Sequence, residues 1–166
     1  MEAFQRGTRA FETAYDHYAD MLYRLALSRV HHPEDAEDIV QEVFLKYMAS
    51  YHKLRDDEHE RAWLVRVTIN HCNDHLRQHK RRRWVSIDEV VELAEETPST
   101  LLRETLDYSS KLPDKIRTVI LLHYLEGYAV QEVAQMLGIS LSACKMRLAR
   151  GRKQLEQIKQ KEDPHV

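Results

Sequence analysis

Two groups of residues in this chain have types and spacings that suit chemistry. His71, His75 and His79 recur at four-residue steps, which puts three imidazoles on one face of a helix with Cys72 beside them. Imidazole and thiolate are zinc ligands. No fourth ligand set is evident in the sequence, however, and no glutamate stands between the histidines as in HExxH. A structural or phosphate-facing role is expected for them, with no metal and no cofactor. The second group is cationic: between Lys145 and Lys161 there are seven basic residues and one acid. Such a run is commonly a solvated helix face, so its meaning depends on the element that carries it. No GxxxxGK[ST], GxGxxG or GxSxG pattern occurs, and no enzymatic activity is expected.

The element that carries the basic run has the spacing of a helix-turn-helix. Val130, Val133, Ala134 and Leu137 mark one helix, Gly138 stands where the chain must turn with positive φ, Ile139 plugs the core and Ser140 is a candidate N-cap for a second helix. In that second helix Cys144 and Leu148 face inward. Lys145, Met146, Arg147, Ala149, Arg150, Arg152 and Lys153 face away from the core. The second helix of such a motif is the one that enters a DNA major groove, so residues 128–155 read as a DNA-binding unit. Ahead of it, a short helix runs to Lys111, Leu112-Pro113 interrupts, and a helix follows from Asp114 to Tyr124 with Ile116, Val119, Ile120 and Leu122 apolar.

The N-terminal part reads as three long helices. Phe11, Tyr15, Tyr18, Leu22, Leu25 and Arg29 form one stripe. His31-His32-Pro33-Glu34-Asp35 breaks that helix and starts the next, with Pro33 suited to the first helical position and the acids to the positive end of the dipole. Ala36, Ile39, Val40, Val43, Phe44 and Tyr47 make the buried face of the second helix, opposite Glu37, Asp38, Gln41, Glu42 and Lys46. Lys53 to Glu60 reads as a loop. A third helix follows, marked by Trp63, Leu64, Val67, Ile69 and Leu76 and ending in the basic run from Arg77 to Arg83.

Composition bounds the rest. The 166 residues carry 25 Lys+Arg, 27 Asp+Glu and a formal charge of −2, but the charge is unevenly placed. Residues 1–83 are neutral, 84–110 hold one base against seven acids, and 111–166 hold ten bases against six acids. The fold class is therefore all-α, with a helical domain over 1–83, an acidic linker over 84–103 and a helix-turn-helix domain over 104–166. Four glycines, well under the roughly 7% norm, disfavour β folds and Gly-rich nucleotide loops. Two cysteines, Cys72 and Cys144, without a CxxC pair leave neither a disulfide framework nor a zinc ribbon. No apolar run approaches the ~18 residues of a membrane span, and MEAFQRGTRA at the start has no apolar signal core. A cytoplasmic location without membrane insertion is expected.

The order of these parts resembles an extracytoplasmic-function (ECF) sigma factor of the sigma-70 family, the minimal kind with regions 2 and 4 alone. Three stretches carry the resemblance: Asp35-Ala36-Glu37-Asp38-Ile39-Val40-Gln41-Glu42-Val43-Phe44, Trp63-Leu64-Val65-Arg66-Val67, and Leu112-Pro113-Asp114-Lys115-Ile116-Arg117-Thr118-Val119 continuing to Leu155. The resemblance implies promoter-specific transcription initiation. The partners it implies are RNA polymerase core, through the β′ clamp helices and the β flap, promoter DNA and an anti-sigma factor.

It also implies residue roles. Asp35, Asp38, Gln41 and Glu42, with Phe44 nearby, would contact core polymerase. Lys53, Arg55, Arg61, Arg66, Asn70, His71 and Arg77 would meet the −10 element as separated strand, where stacking surfaces and cations are required. Lys145, Met146 and Ala149 would face bases of the −35 element, while Arg147, Arg150 and Lys153 would hold phosphates, which set register rather than sequence. The family more commonly has valine at Cys144 and a hydroxyl residue at Met146. Three other readings remain open, the most remote being a metal-dependent hydrolase using His71 and His75. A stand-alone helix-turn-helix regulator would leave 35–44 and 63–83 without a task, and a helical adaptor would use the basic helices only for solvation.

Overall fold

The computed structural model describes residues 1–83, 107 and 109–162. The chain divides into two compact units, Met1–Ala94 and Glu95–Val166, and every regular element among the described residues is helical. The stretch 84–103, expected as an acidic linker, lies outside the described residues.

Unit 1 consists of α1 (Glu2–Val30), α2 (Pro33–Ser50), a 3₁₀ turn (Tyr51–Lys53) and α3 (Asp57–Arg83). The break between α1 and α2 follows from the residues read there. His31 adopts the left-handed conformation at φ 61° and its N–H closes α1 by donating to the Leu27 carbonyl. His32 is extended, Pro33 opens α2, and Glu34 and Asp35 lie in the first turn, where carboxylates oppose the positive helix end.

The core of unit 1 is aliphatic and aromatic, with Leu22, Leu25, Val43, Phe44, Tyr47, Leu64 and Val65 all at 2% exposure or less. Burial of this kind contributes about 1.5–3 kcal/mol per large side chain. On α2 the buried set is Ala36, Ile39, Val40, Val43, Phe44 and Tyr47, the six residues its periodicity marks. The stripe of α1 is buried only over its C-terminal half. Toward the other end Phe11 and Tyr15 gather around Phe44, with ring centroids 5.7 and 5.0 Å from it, and Tyr15 keeps 46% of its surface. Arg29 continues the stripe as a buried cation whose guanidinium donates to Asn73 Oδ1 across to α3 at 3.4 Å.

Two expectations for α3 are corrected. The helix starts at Asp57 rather than after Glu60, because Asp56 caps it: Asp56 Oδ1 accepts from the His59 N–H at 2.7 Å, and the Asp56 carbonyl accepts from Glu60 N–H. Asp57, Glu58 and Glu60 then fill the first turn, so their acidity is helix-stabilising rather than a loop signature. The buried line of α3 is Leu64, Val65, Thr68 and Cys72. Trp63, Val67, Ile69 and Leu76 are half-buried on either side. A threonine in that line is accommodated because its hydroxyl donates to the Leu64 carbonyl at 2.8 Å.

Unit 2 holds α4 (Asp114–Ile120), whose path widens into a π turn over Leu121–Leu125, then α5 (Val130–Leu137) and α6 (Leu141–Glu162). The helix expected to end at Lys111 falls largely outside the described residues. Ahead of α4, Arg117 is 3% exposed and gathers the chain. Its guanidinium donates to the carbonyls of Ser110 and Leu112 at 3.2 and 3.3 Å and pairs with Asp114. The core is Val119, Ile120, Leu121, Leu122, Val133, Met136, Cys144 and Leu148.

Candidate functional site

In unit 2 the site is the α5–turn–α6 arrangement. Gly138 turns the chain at φ 65°, a conformation glycine adopts without a Cβ penalty. Ile139 N–H donates back to Ala134, and Ser140 Oγ accepts the Ala143 N–H at 3.1 Å, making it the N-cap of α6. At the start of α5 the Ala129 N–H donates to Glu132 Oε2 at 2.8 Å. Both helices are thus capped at their N-termini by side chains, which fixes where each one begins.

On α6 the inward residues are Cys144, Leu148 and Gly151. Burial pushes the Cys144 thiol above its ordinary pKa, and the nearby Arg147 charge works against that shift. Lys145, Met146, Ala149, Arg150 and Lys153 are all exposed, Met146 by 52%. Arg147 differs from the rest of the expected set: it is half-buried on the flank beside Cys144. Arg152 reaches the Tyr124 hydroxyl at 3.0 Å and so is tied to the preceding segment. Those five residues offer two apolar and three cationic side chains, a mixture suited to a groove edge with phosphates at its margins.

In unit 1 two faces stand out. On α2, Asp38, Gln41 and Glu42 are exposed, as expected for a contact surface. Leu45 and Met48 continue the same side and are 71% and 37% exposed. Neither residue is among those expected from the sequence, although 38, 41, 45 and 48 keep a three- and four-residue step on the polar side of the helix. Phe44 does not belong to that surface. At 2% exposure it is enclosed by Phe11, Tyr15 and Tyr47 and supports the helix from within. Asp35 is half-buried and turned toward α3, with Oδ2 3.2 Å from His75 Nε2.

The second face lies on α3 and the turn before it. Arg66, Asn70 and Arg77 are exposed at helical spacing on one side. Lys53 and Arg55 are exposed on the connection, which is held by Arg55 N–H donating to His59 Nδ1 at 3.2 Å. Arg61 is half-buried within α3. His71 is turned the other way: its Nδ1 lies 3.1 Å from Glu42 Oε2, its side chain is 14% exposed, and it faces α2 rather than the side of Asn70. Trp63 is half-buried beside Tyr47 at 6.3 Å.

Comparison with known proteins follows the same division. A family model described as Sigma-70 region 2 matches residues 14–82, and one described as Sigma-70, region 4 matches residues 102–155. The sigma factor SigV of Bacillus subtilis is 34% identical over 153 residues, covering 89% of each chain. The chain belongs to the ECF sigma factors of the sigma-70 family. The ECF sigma factor SigM of Mycobacterium tuberculosis is 27% identical over 150 residues, covering 90% of this chain and 76% of its own. Among solved structures, the sigma factor RpoE of Bartonella quintana, crystallised with the anti-sigma factor NepR, shares the fold at TM-score 0.74 and 22% identity, covering 92% of this chain and 98% of that one. CnrH, solved with the cytosolic domain of CnrY, matches at TM-score 0.69 and 25% identity, covering 96% and 91%. As a sigma factor, the protein serves transcription initiation. No helix among the described residues is long and apolar enough to cross a membrane.

Proposed function

We propose that unit 1 docks on RNA polymerase core through the exposed side of α2, meets the −10 element through α3 and its preceding turn, and that unit 2 reads the −35 element with α6. The docking surface is Asp38, Gln41 and Glu42 extended by Leu45 and Met48. One observation carries this part: α2 buries six apolar residues on one side yet keeps an uncovered leucine and methionine on the other. Exposed apolar side chains next to acids fit a partner helix surface better than they fit water.

On α3, Arg66, Asn70 and Arg77, with Lys53 and Arg55 on the connection, supply cations and amide groups for a separated strand, and Arg61 lies nearby. On α6, Lys145, Met146 and Ala149 face base edges, with the Met146 thioether suited to a thymine methyl, while Arg150 and Lys153 hold phosphates and Arg147 supports them from the flank. An anti-sigma partner, as RpoE has in its solved complex with NepR, would compete for the same surfaces. The protein acts in this reading as a binding subunit without chemistry of its own, working beside DNA in the cytoplasm.

The test is reconstitution. Purified protein added to core polymerase should give specific initiation on promoters selected from a random library by the holoenzyme. Charge reversal at Arg150 should lower promoter affinity and flatten its salt dependence by about one ion. Tight operator binding without polymerase, together with no gain in initiation, would replace this reading with that of a stand-alone regulator.

A further inference from the structure

The histidine ladder of α3 packs against α2, which runs antiparallel to it and presents a carboxylate that sequence spacing did not associate with it. Asp35 Oδ2 lies 3.2 Å from His75 Nε2 and 3.6 Å from His79 Nε2, and the three ligand atoms are all within 4.8 Å of one another. The two imidazoles stand nearly perpendicular, with centroids 4.6 Å apart. We infer that Asp35, His75 and His79 form a binding site for a divalent transition-metal ion of the zinc type, joining the first turn of α2 to the last turns of α3.

Three features carry the inference. The first is distance. Zinc bonds of about 2.0–2.2 Å to nitrogen and oxygen place tetrahedral ligand atoms about 3.3–3.5 Å apart, and both Asp35–His separations bracket that edge. The third edge, between His75 and His79, lies within 4.8 Å and joins an i, i+4 histidine pair on a helix face, itself a chelating arrangement.

The second feature is an unmatched ligand atom. His75 Nε2 is shielded from solvent and has no hydrogen-bond partner, although the Asp35 carboxylate oxygen is 3.2 Å away. An ion between them would give that nitrogen a partner, since imidazole nitrogen and carboxylate oxygen are both zinc ligands.

The third feature is position. The Asp35 and His75 side chains are 27% and 25% exposed and His79 is 48% exposed, so the cluster lies at the surface and an ion held there can keep water in its fourth position. Two imidazoles and one carboxylate, without a thiolate, favour a borderline ion such as Zn²⁺ over soft Cu⁺ or hard Mg²⁺. Cys72 is fully buried in the core and stands apart from this set.

The test uses the full chain without a histidine tag, titrated with Zn²⁺ against a chromogenic chelator and with Co²⁺ followed by its visible bands. One ion per chain is expected, with cobalt bands of tetrahedral or five-coordinate type and a raised thermal midpoint. His79→Ala and Asp35→Asn should each weaken binding by at least about 10- to 100-fold, the loss produced even by outer-shell changes. Circular dichroism will establish that each variant retains its helices, and His17→Ala on α1 should bind as the parent does. Absence of stoichiometric binding, or binding undiminished in either ligand variant, would overturn the assignment.

Discussion

His71 Nδ1 lies 3.1 Å from Glu42 Oε2, so a residue expected at the −10 element is held by one expected at polymerase. The Glu42 side chain is 63% exposed, and a polar side-chain contact in that setting contributes no more than about 1 kcal/mol. The pair matters more for direction than for stability: it turns His71 away from the side that bears Arg66 and Asn70.

The resulting prediction separates the two kinds of residue on α3. In a reconstituted holoenzyme, Asn70→Ala and Arg66→Ala should each reduce promoter opening several-fold, consistent with a lost contact of about 1 kcal/mol. His71→Ala should leave opening within about twofold, a change of under about 0.5 kcal/mol. Permanganate reactivity of unpaired thymines at the −10 element reads the difference. Equal losses for all three substitutions would return His71 to the DNA-facing set.

Leu45 gives a cleaner separation between folding and docking. At 71% exposure it contributes little to the free protein, and Leu45→Ala should leave the urea midpoint nearly unchanged. If docking covers it, truncation should weaken core binding by about 1–2 kcal/mol, roughly tenfold, the value expected for burying part of a leucine. Competition against a labelled sigma factor for limiting core polymerase measures the second quantity. A parent-like affinity would remove Leu45 from the proposed surface.

What could be read beforehand depended on whether one element carried the information by itself. The six buried residues of α2, the turn at Gly138 and the Ser140 cap are all local patterns, and each took its expected place. The start of α3 was misread because Asp56, Asp57 and Glu58 have the composition of a loop, and only the His59 N–H on Asp56 shows that they begin a helix. The buried face of α3 shifted for a related reason: Thr68 serves as a core residue beside the expected buried thiol of Cys72, while Trp63 and Leu76 stay partly open, which hydropathy does not foresee. The meeting of Asp35 with His75 and His79 was invisible because it joins two helices across a long stretch of chain, and nothing in either helix alone requires it.

Tyr47 makes unit 1 sensitive to alkaline pH. Its hydroxyl donates to Glu60 Oε1 at 2.5 Å, and burial, followed by that hydrogen bond and the Glu60 charge, raises the phenol well above its ordinary value of 10.0. The folded state therefore keeps the proton when the unfolded chain has lost it. Stability from this group is fully present below pH ~10 and is lost as pH rises from there through the folded value. Tyr47→Phe should destabilise by about 1 kcal/mol at neutral pH through the lost hydrogen bond. It should also fall less steeply than the parent above pH ~10. Urea unfolding at matched pH values resolves both effects, and parallel declines for the two proteins would show that Tyr47 does not govern the alkaline limb.

In unit 2, Gly151 sets how closely α6 approaches α4. A Cβ at that position would fall 2.7 Å from both Cγ1 and Cδ1 of Ile120 and 3.0 Å from Cγ2 of Ile116. Ile120 is itself only 2% exposed, so its side chain has little room to withdraw. Helix propensity alone would make Gly151→Ala stabilising by about 1 kcal/mol, whereas overpacking a core contact opposes it by about 1–3 kcal/mol. Because two Ile120 atoms are met at once, the steric effect should win and the variant should be destabilised by about 1 kcal/mol net. Ile120→Val removes Cδ1 and the clash with it, so it should be less harmful in the Gly151→Ala background than in the parent. A double-mutant cycle in urea measures that coupling directly. An additive cycle, or a stabilised Gly151→Ala, would mean that α4 and α6 separate freely and that the glycine does not fix the distance at which α6 is held.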